Sequence, residues 1–161
     1  MGDTRERLLD EARDLYLQGG LAGFSLREVA RRVGISAAAV YRHYDGKEAL
    51  LHEVCGEGFR VFSSYLLKSL AAPTPKARLH AAAEQYLRFA LEEPRHYRFI
   101  FMGAAADLGQ LSLELPPGQH EPTFQFLIDR VRECIQAKVL ARGDAELIAT
   151  QIWAHVHGLV S

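Results

Sequence analysis

The sequence predicts an all-α protein, with a small N-terminal three-helix bundle that carries a helix-turn-helix and a larger helical region after it. Three observations point there. Apolar residues recur at i, i+3 and i+4 along nearly the whole chain, and no stretch shows the strict alternation of a half-buried strand. Good N-caps (Ser25, Ser36 and Asp144) stand just ahead of apolar-periodic runs. Gly34 separates two short helical runs by only a few residues, the spacing of a tight interhelical turn.

The first helix is expected from about Thr4 to Gln18, with Leu8, Ala12 and Leu15 on one face and Gly19-Gly20 stopping it. Ser25 should cap the second helix, and Glu28, three residues on, completes a capping box. Leu26, Val29, Ala30 and Val33 form its buried stripe, and Gly34 sits where the chain must turn with positive φ. Ser36 caps a third helix that runs to about Tyr44 with Val40 inward; Asp45-Gly46 is a turn. A fourth helix begins near Lys47 and continues to Leu70. Ala71-Ala72-Pro73-Thr74-Pro75 breaks the pattern, and a fifth helix follows from about Lys76 to Leu91. Pro94 can open another helix, and His96 to Ala106 reads as a short aromatic-rich one. Residues 107–120, with Gly109, Pro116, Pro117 and Gly118, read as mixed helix and loop. Glu121 to Ala141 is a long amphipathic segment carrying Phe124, Leu127, Ile128, Val131, Ile135 and Leu140. Gly143 ends it, and Asp144 caps a last helix over 145–160. The expected boundary between the two domains lies at residues 46 and 47, giving domains 1–46 and 47–161.

At 161 residues and 48% hydrophobic, the chain can bury a core without disulfides. Cys55 and Cys134 form no CxxC pair, which fits a reducing, cytoplasmic setting. No apolar run reaches the roughly 18 residues of a membrane span, and the start of the chain is charged from Asp3 to Glu11, unlike a signal peptide. Net charge is -1, but its distribution is uneven. Between Arg27 and Lys47 five basic residues face two acidic ones, whereas residues 51–161 are nearly balanced.

That local charge coincides with the helix-turn-helix, so double-stranded DNA is the expected partner. A surface helix fits the major groove. The third helix opens with Ala37, Ala38 and Ala39, small enough for close backbone approach, then presents Tyr41, Arg42 and His43. Ser25 puts a hydroxyl beside unpaired backbone N–H groups, suited to a phosphate. Lys47 in a first helical turn works against the helix dipole and so points to an external anion. Ser25 and Ser36 are also good caps without DNA, and Tyr44 fits the core better than a contact. Enzyme chemistry finds no support. His155 and His157, two apart, face different ways on a helix; His80 and His96 stand alone. There is no GxSxG, no HExxH and no phosphate-binding glycine loop. No catalytic residue, metal ligand set or cofactor is expected.

The runs FSLREVARRVGIS at 24–36, VYRHY at 40–44 and KEALL at 47–51 closely resemble the DNA-binding domain of the tetracycline-repressor (TetR) family of bacterial transcription regulators. The resemblance implies a homodimer that binds a palindromic operator, with the third helix in the major groove. Carried onto these positions, it makes Tyr41 and His43 backbone or thymine contacts, Ser25 and Lys47 phosphate contacts, Ala37 and Ala38 base-facing, and Arg42 a backbone contact. Arg27 and Ser36 complete the expected DNA-binding set. The stretch WAHVHGL at 153–159 resembles, more weakly, the first of the family's two dimerisation helices. A further helix usually follows it, so domain 47–161 is expected to lack a final helix.

The same resemblance makes 47–161 a ligand-binding and dimerisation domain, in which a bound ligand moves the fourth helix and releases DNA. Its aromatics and methionine suit a mostly apolar effector, with Tyr86, Phe89, Phe99, Met102, Phe126 and His155 as candidate contacts. Most of these residues read equally well as helical core. Phe124, Ile128, Trp153 and His157 are the candidates for dimerisation. The alternative to a ligand-released repressor is a helical protein-interaction or scaffold module that keeps the fold without operator binding.

Overall fold

The computed structural model describes residues 2–103 and 121–161, and every regular element among them is helical. The expected mixed segment at 107–120 lies outside the described residues, as does the end of the expected helix at 96–106. The chain divides into two compact units. One comprises residues up to 59 together with the stretch beginning at 95, the other residues 60–94 together with 121–161.

In the first unit, α1 (Gly2–Gly23) buries Leu8, Leu9, Ala12, Leu15 and Tyr16. It runs past the expected stop at Gln18, but its backbone breaks at Gly20 (φ 60°, ψ −167°). On α2 (Leu26–Val33) the four stripe residues are all buried, as the spacing requires. Gly34 follows at φ 79°, and its N–H bonds the carbonyls of Ala30 (3.0 Å) and Arg31 (3.2 Å). This left-handed ending is cheap only for a residue without a Cβ.

The expected capping box does not form. Ser25 holds the N-cap position in an extended conformation, but its side chain makes no cap bond. Glu28 turns away to Arg31 (2.6 and 2.8 Å) and Arg32 (3.1 Å). Two charge-assisted partners one turn along outcompete a neutral backbone N–H.

The third helix, α3 (Ala37–Tyr41), is shorter than expected, with residues 42–43 forming a turn. Ser36 caps it, Oγ accepting from the Ala39 N–H at 3.1 Å. α4 (Lys47–Lys68) places Leu50, Leu51 and Val54 in the first unit's core, and its residues from Arg60 belong to the second unit.

α6 (Pro94–Tyr97) leads into a π-helical segment, Arg98–Gly103, where an α-helix was expected. Phe99 meets Tyr16 of α1 edge-on, ring centroids 5.0 Å apart. Ile100 lies so close to Gly58 of α4 that a Cβ there would stand 2.6 Å from its Cγ2.

In the second unit, α4 ends at Lys68, just short of the expected Leu70, in a single 3-10 turn, Ser69–Ala71. α5 (Pro75–Glu92) is capped by Thr74, whose Oγ1 accepts from Ala77 N–H at 3.2 Å, with Pro75 in the first turn. α5 packs on α7 (Pro122–Gln136), which packs on α8 (Ala145–His157). Ile128, Val131 and Ala149 form the centre of this core, with Leu79, Phe124, Leu127, Ile135, Leu140, Ala145, Ile148 and Ile152 around them. Each fully buried large aliphatic chain here contributes about 1.5–3 kcal/mol.

α7 stops at Gln136, five residues before the expected end. Lys138 takes φ 58°, its N–H bonds Ile135 O (3.0 Å), and Val139 N–H reaches Cys134 O (2.8 Å). This pair of bonds is a Schellman ending built on lysine, and it lets Leu140 fold back onto the core. Asp144 caps α8 as expected, Oδ1 accepting from Glu146 N–H (2.9 Å) and Leu147 N–H (3.3 Å).

Candidate nucleic-acid interface

The outward face of α3 and its following turn is almost bare. Ala38, Tyr41, Arg42 and His43 are exposed, Tyr41 by 51%, and Ala37 is half-buried. Only Val40 and Tyr44 turn inward, at 1% and 9% exposure. Ser36 is exposed, and its hydroxyl serves the cap. Ser25 and Arg27 are exposed at the start of α2, and the Ser25 hydroxyl is not used in capping. Arg27 and Arg42 make no hydrogen bond or ion pair among the described residues.

The other cations are more committed. Glu28 binds both Arg31 and Arg32, and their guanidinium hydrogen bonds, Arg31 first, hold its carboxyl down to about 2. Arg32 also donates to Gln18 Oε1 (3.0 Å) and lies 3.8 Å from Glu11. Lys47 is half-buried, and its Nζ donates to Leu21 O at 3.3 Å, so it closes the end of α1.

Behind this face lies a polar scaffold that sequence reasoning did not anticipate. Glu53 on α4 accepts a hydrogen bond from the Tyr44 hydroxyl (2.5 Å) through one oxygen and pairs with Arg5 of α1 through the other. Burial, then the Glu53 carboxylate, pushes the Tyr44 hydroxyl well above the usual phenol range. One turn along α4, Glu57 pairs with Arg13, which is 2% exposed and also bonds Asp10 at 2.6 Å. Arg7 donates to Val33 O (2.9 Å), closing the end of α2. The one local signal was the i, i+4 spacing of Glu53 and Glu57; their partners are too distant in sequence to infer.

The residues expected to bind an effector fall in different units. Phe99 and Met102 belong to the first, Phe99 fully buried against Tyr16 and Met102 54% exposed. Tyr86, Phe89, Phe126 and His155 belong to the second. There the Tyr86 hydroxyl lies 2.8 Å from Nδ1 of His157, and Trp153 stacks on the same imidazole at 5.0 Å. Phe62 meets both Tyr86 and Phe89. Phe126 lies under the Arg130 guanidinium at 4.7 Å, and His155 is exposed.

Among the dimerisation candidates, Ile128 is 1% exposed and committed to the core of its own chain, with Phe124 packed beside it. Trp153 and His157 are half-buried. Among the described residues, no group of three or more His, Cys, Asp or Glu side chains is placed to hold a metal, and no helix is long and apolar enough to cross a membrane.

Comparison with known proteins bears on the same two regions. Residues 8–54 match the model of "Bacterial regulatory proteins, tetR family", and residues 79–161 match a "Tetracyclin repressor-like, C-terminal domain". The chain is 36% identical to the HTH-type transcriptional regulator AcrR of Shigella flexneri, over 99% of this chain and 75% of that protein. It spans 51%, 24% and 39% of the length of three other curated relatives that it matches. A TetR family transcriptional regulator, PfmR from Thermus thermophilus, superposes with a TM-score of 0.74 at 21% identity, over 96% of this chain and 84% of that one. AibR, crystallised with isovaleryl coenzyme A and operator DNA, gives a TM-score of 0.70 at 18% identity, over 95% of this chain and 83% of that one. Those two likenesses are of fold, whereas the two family matches and the 36% identity are of sequence. The chain therefore belongs to the TetR family of bacterial regulatory proteins.

Proposed function

We propose that this protein is a sequence-specific DNA-binding transcription regulator, a homodimeric repressor that binds a palindromic operator and is released by a mostly apolar effector. In this reading residues 1–46, together with Lys47 at the start of α4, hold DNA, and the rest of 47–161 holds the effector and the second subunit. The observation that carries it is the outward face of α3. Tyr41, Arg42 and His43 are exposed, while Val40 and Tyr44 secure the segment from behind. Ala37 and Ala38 leave room for the helix backbone to approach base edges, and specificity then rests on thymine methyls, a few side chains and DNA shape. Ser25, Arg27 and Lys47 flank the face as phosphate ligands, and Ser36 lies at the start of the reading helix. AibR, a protein of this fold, was crystallised with operator DNA and an acyl-coenzyme A, which supports both kinds of partner.

The test is selection of bound sequences from a random duplex library at fixed, near-physiological salt. Enrichment of a two-fold symmetric site is expected. Arg27→Ala should then weaken binding across all sequences and lower the salt slope by about 1. No enrichment from a folded sample would overturn the reading and leave the helical interaction module.

A further inference from the structure

We propose that Glu53 is a positioning residue that sets the angle of the reading helix, and through it the operator half-site spacing the protein accepts. The inference rests on the DNA-binding reading. α3 has five residues, too few to hold a helix by its own hydrogen bonds. Its direction is therefore fixed by what anchors it to the rest of the bundle.

One anchor is Val40, which is buried where α3 packs on α2. Apolar burial, which the Tyr44 ring shares, resists separation but is non-directional. The second anchor is Tyr44, four residues further on, which carries a directional bond. Its hydroxyl donates to Glu53 Oε2 at 2.5 Å. The bond is charge-assisted, the stronger and shorter kind.

Glu53 is itself held. Its other oxygen pairs with Arg5, so one carboxylate ties together α4, the N-terminal end of α1 and the segment that follows α3. The Glu53 side chain is 27% exposed and Arg5 56%, whereas Tyr44 is buried. The arrangement is thus most sheltered at the tyrosine end. Any displacement of Glu53 with α4 would pass to Tyr44 through this bond. The angle between α3 and α2 follows the position of one carboxylate.

In a dimer the two reading helices must enter successive major grooves, so their mutual angle and separation select the number of base pairs between half-sites. A firmly fixed α3 accepts one spacing. An α3 freed at Tyr44 accepts neighbouring spacings with little preference, while its base-facing side chains read the same half-site.

The experiment compares full-length wild type, Tyr44→Phe and Glu53→Gln. Each is presented with duplexes that carry the wild-type half-site at spacings varied one base pair at a time, and thermal unfolding is followed in parallel. Wild type is expected to bind one spacing best. Both variants should lose roughly tenfold at that spacing, the scale of one charged hydrogen bond, and should bind the adjacent spacings nearly as well as the best one. Tyr44→Phe keeps the ring in the core, so it stays folded even if Glu53→Gln does not. A uniform loss of affinity with the wild-type spacing profile retained would overturn the proposal, because that is what a merely stabilising bond predicts. A folded wild type that selects no symmetric site would overturn the DNA-binding reading itself, and with it this inference.

Discussion

Removing Glu57 isolates the most buried charge in the first unit. Arg13 is 2% exposed and Glu57 20%, and the two side chains join α1 to α4. Breaking a buried pair by deleting one partner typically costs about 3–5 kcal/mol, because the remaining charge is left uncompensated. Two features soften that here. Asp10, 57% exposed, keeps its bond to Arg13 at 2.6 Å, and Glu57 is itself partly wet. Glu57→Ala should therefore cost about 2–3 kcal/mol, which for a chain of this size lowers Tm by about 5–10 °C. Urea and thermal unfolding by far-UV circular dichroism, at one fixed protein concentration, measure it. The double variant Arg13→Met with Glu57→Leu removes both charges and fills the space, and should recover most of the loss. A loss below about 0.5 kcal/mol for Glu57→Ala, or a double variant no better than the single one, would refute the reasoning.

Gly58 and Glu28 supply independent tests. Gly58→Ala places a methyl 2.6 Å from Ile100 Cγ2, so the overpacking cost of about 1–3 kcal/mol should exceed the gain of about 1 kcal/mol in helix propensity. Ile100→Leu, which lacks the Cγ2 branch, should restore stability to Gly58→Ala, read by chemical denaturation. Glu28 has its carboxyl depressed from 4.5 to about 2 in the folded state, through Arg31 and then Arg32. A depressed pKa means that its ionised form favours folding above pH 4.5 and that this benefit disappears as pH falls towards 2. The stability difference between wild type and Glu28→Gln should accordingly be constant near neutrality, narrow between those values and vanish below them, as followed by unfolding at each pH.

Local rules were legible in the sequence where a single residue type settles the backbone. The stripe on α2, the caps at Ser36 and Asp144 and the left-handed turn at Gly34 all have their causes within four residues. The failures have causes that composition hides, some local and some not. Lys138 takes a conformation normally filled by glycine, so the end of α7 carried no mark. Glu28 satisfied a capping pattern, but two neighbouring arginines offered it stronger partners. The π-helical turn at Arg98–Gly103 answers to Tyr16 and Gly58, distant in sequence. At the candidate interface the outward side chains of α3 were readable from spacing alone. The ion pairs behind them were not, because Arg13 and Glu57 are 44 residues apart and Arg5 and Glu53 are 48. Phe99 shares an aromatic character with Tyr86 and Phe89 but belongs to another unit, a distinction periodicity cannot draw.

The bareness of α3 has an evolutionary consequence. The side chains at 38 and 41–43 bear almost none of the work of keeping the bundle folded, since Val40, Tyr44 and the Ser36 cap carry it. Substitutions at such exposed positions usually change stability by less than about 0.5 kcal/mol. A lineage carrying this scaffold can exchange those letters one at a time without ever passing through an unfolded ancestor, and in the proposed reading each exchange would alter the DNA sequence it prefers.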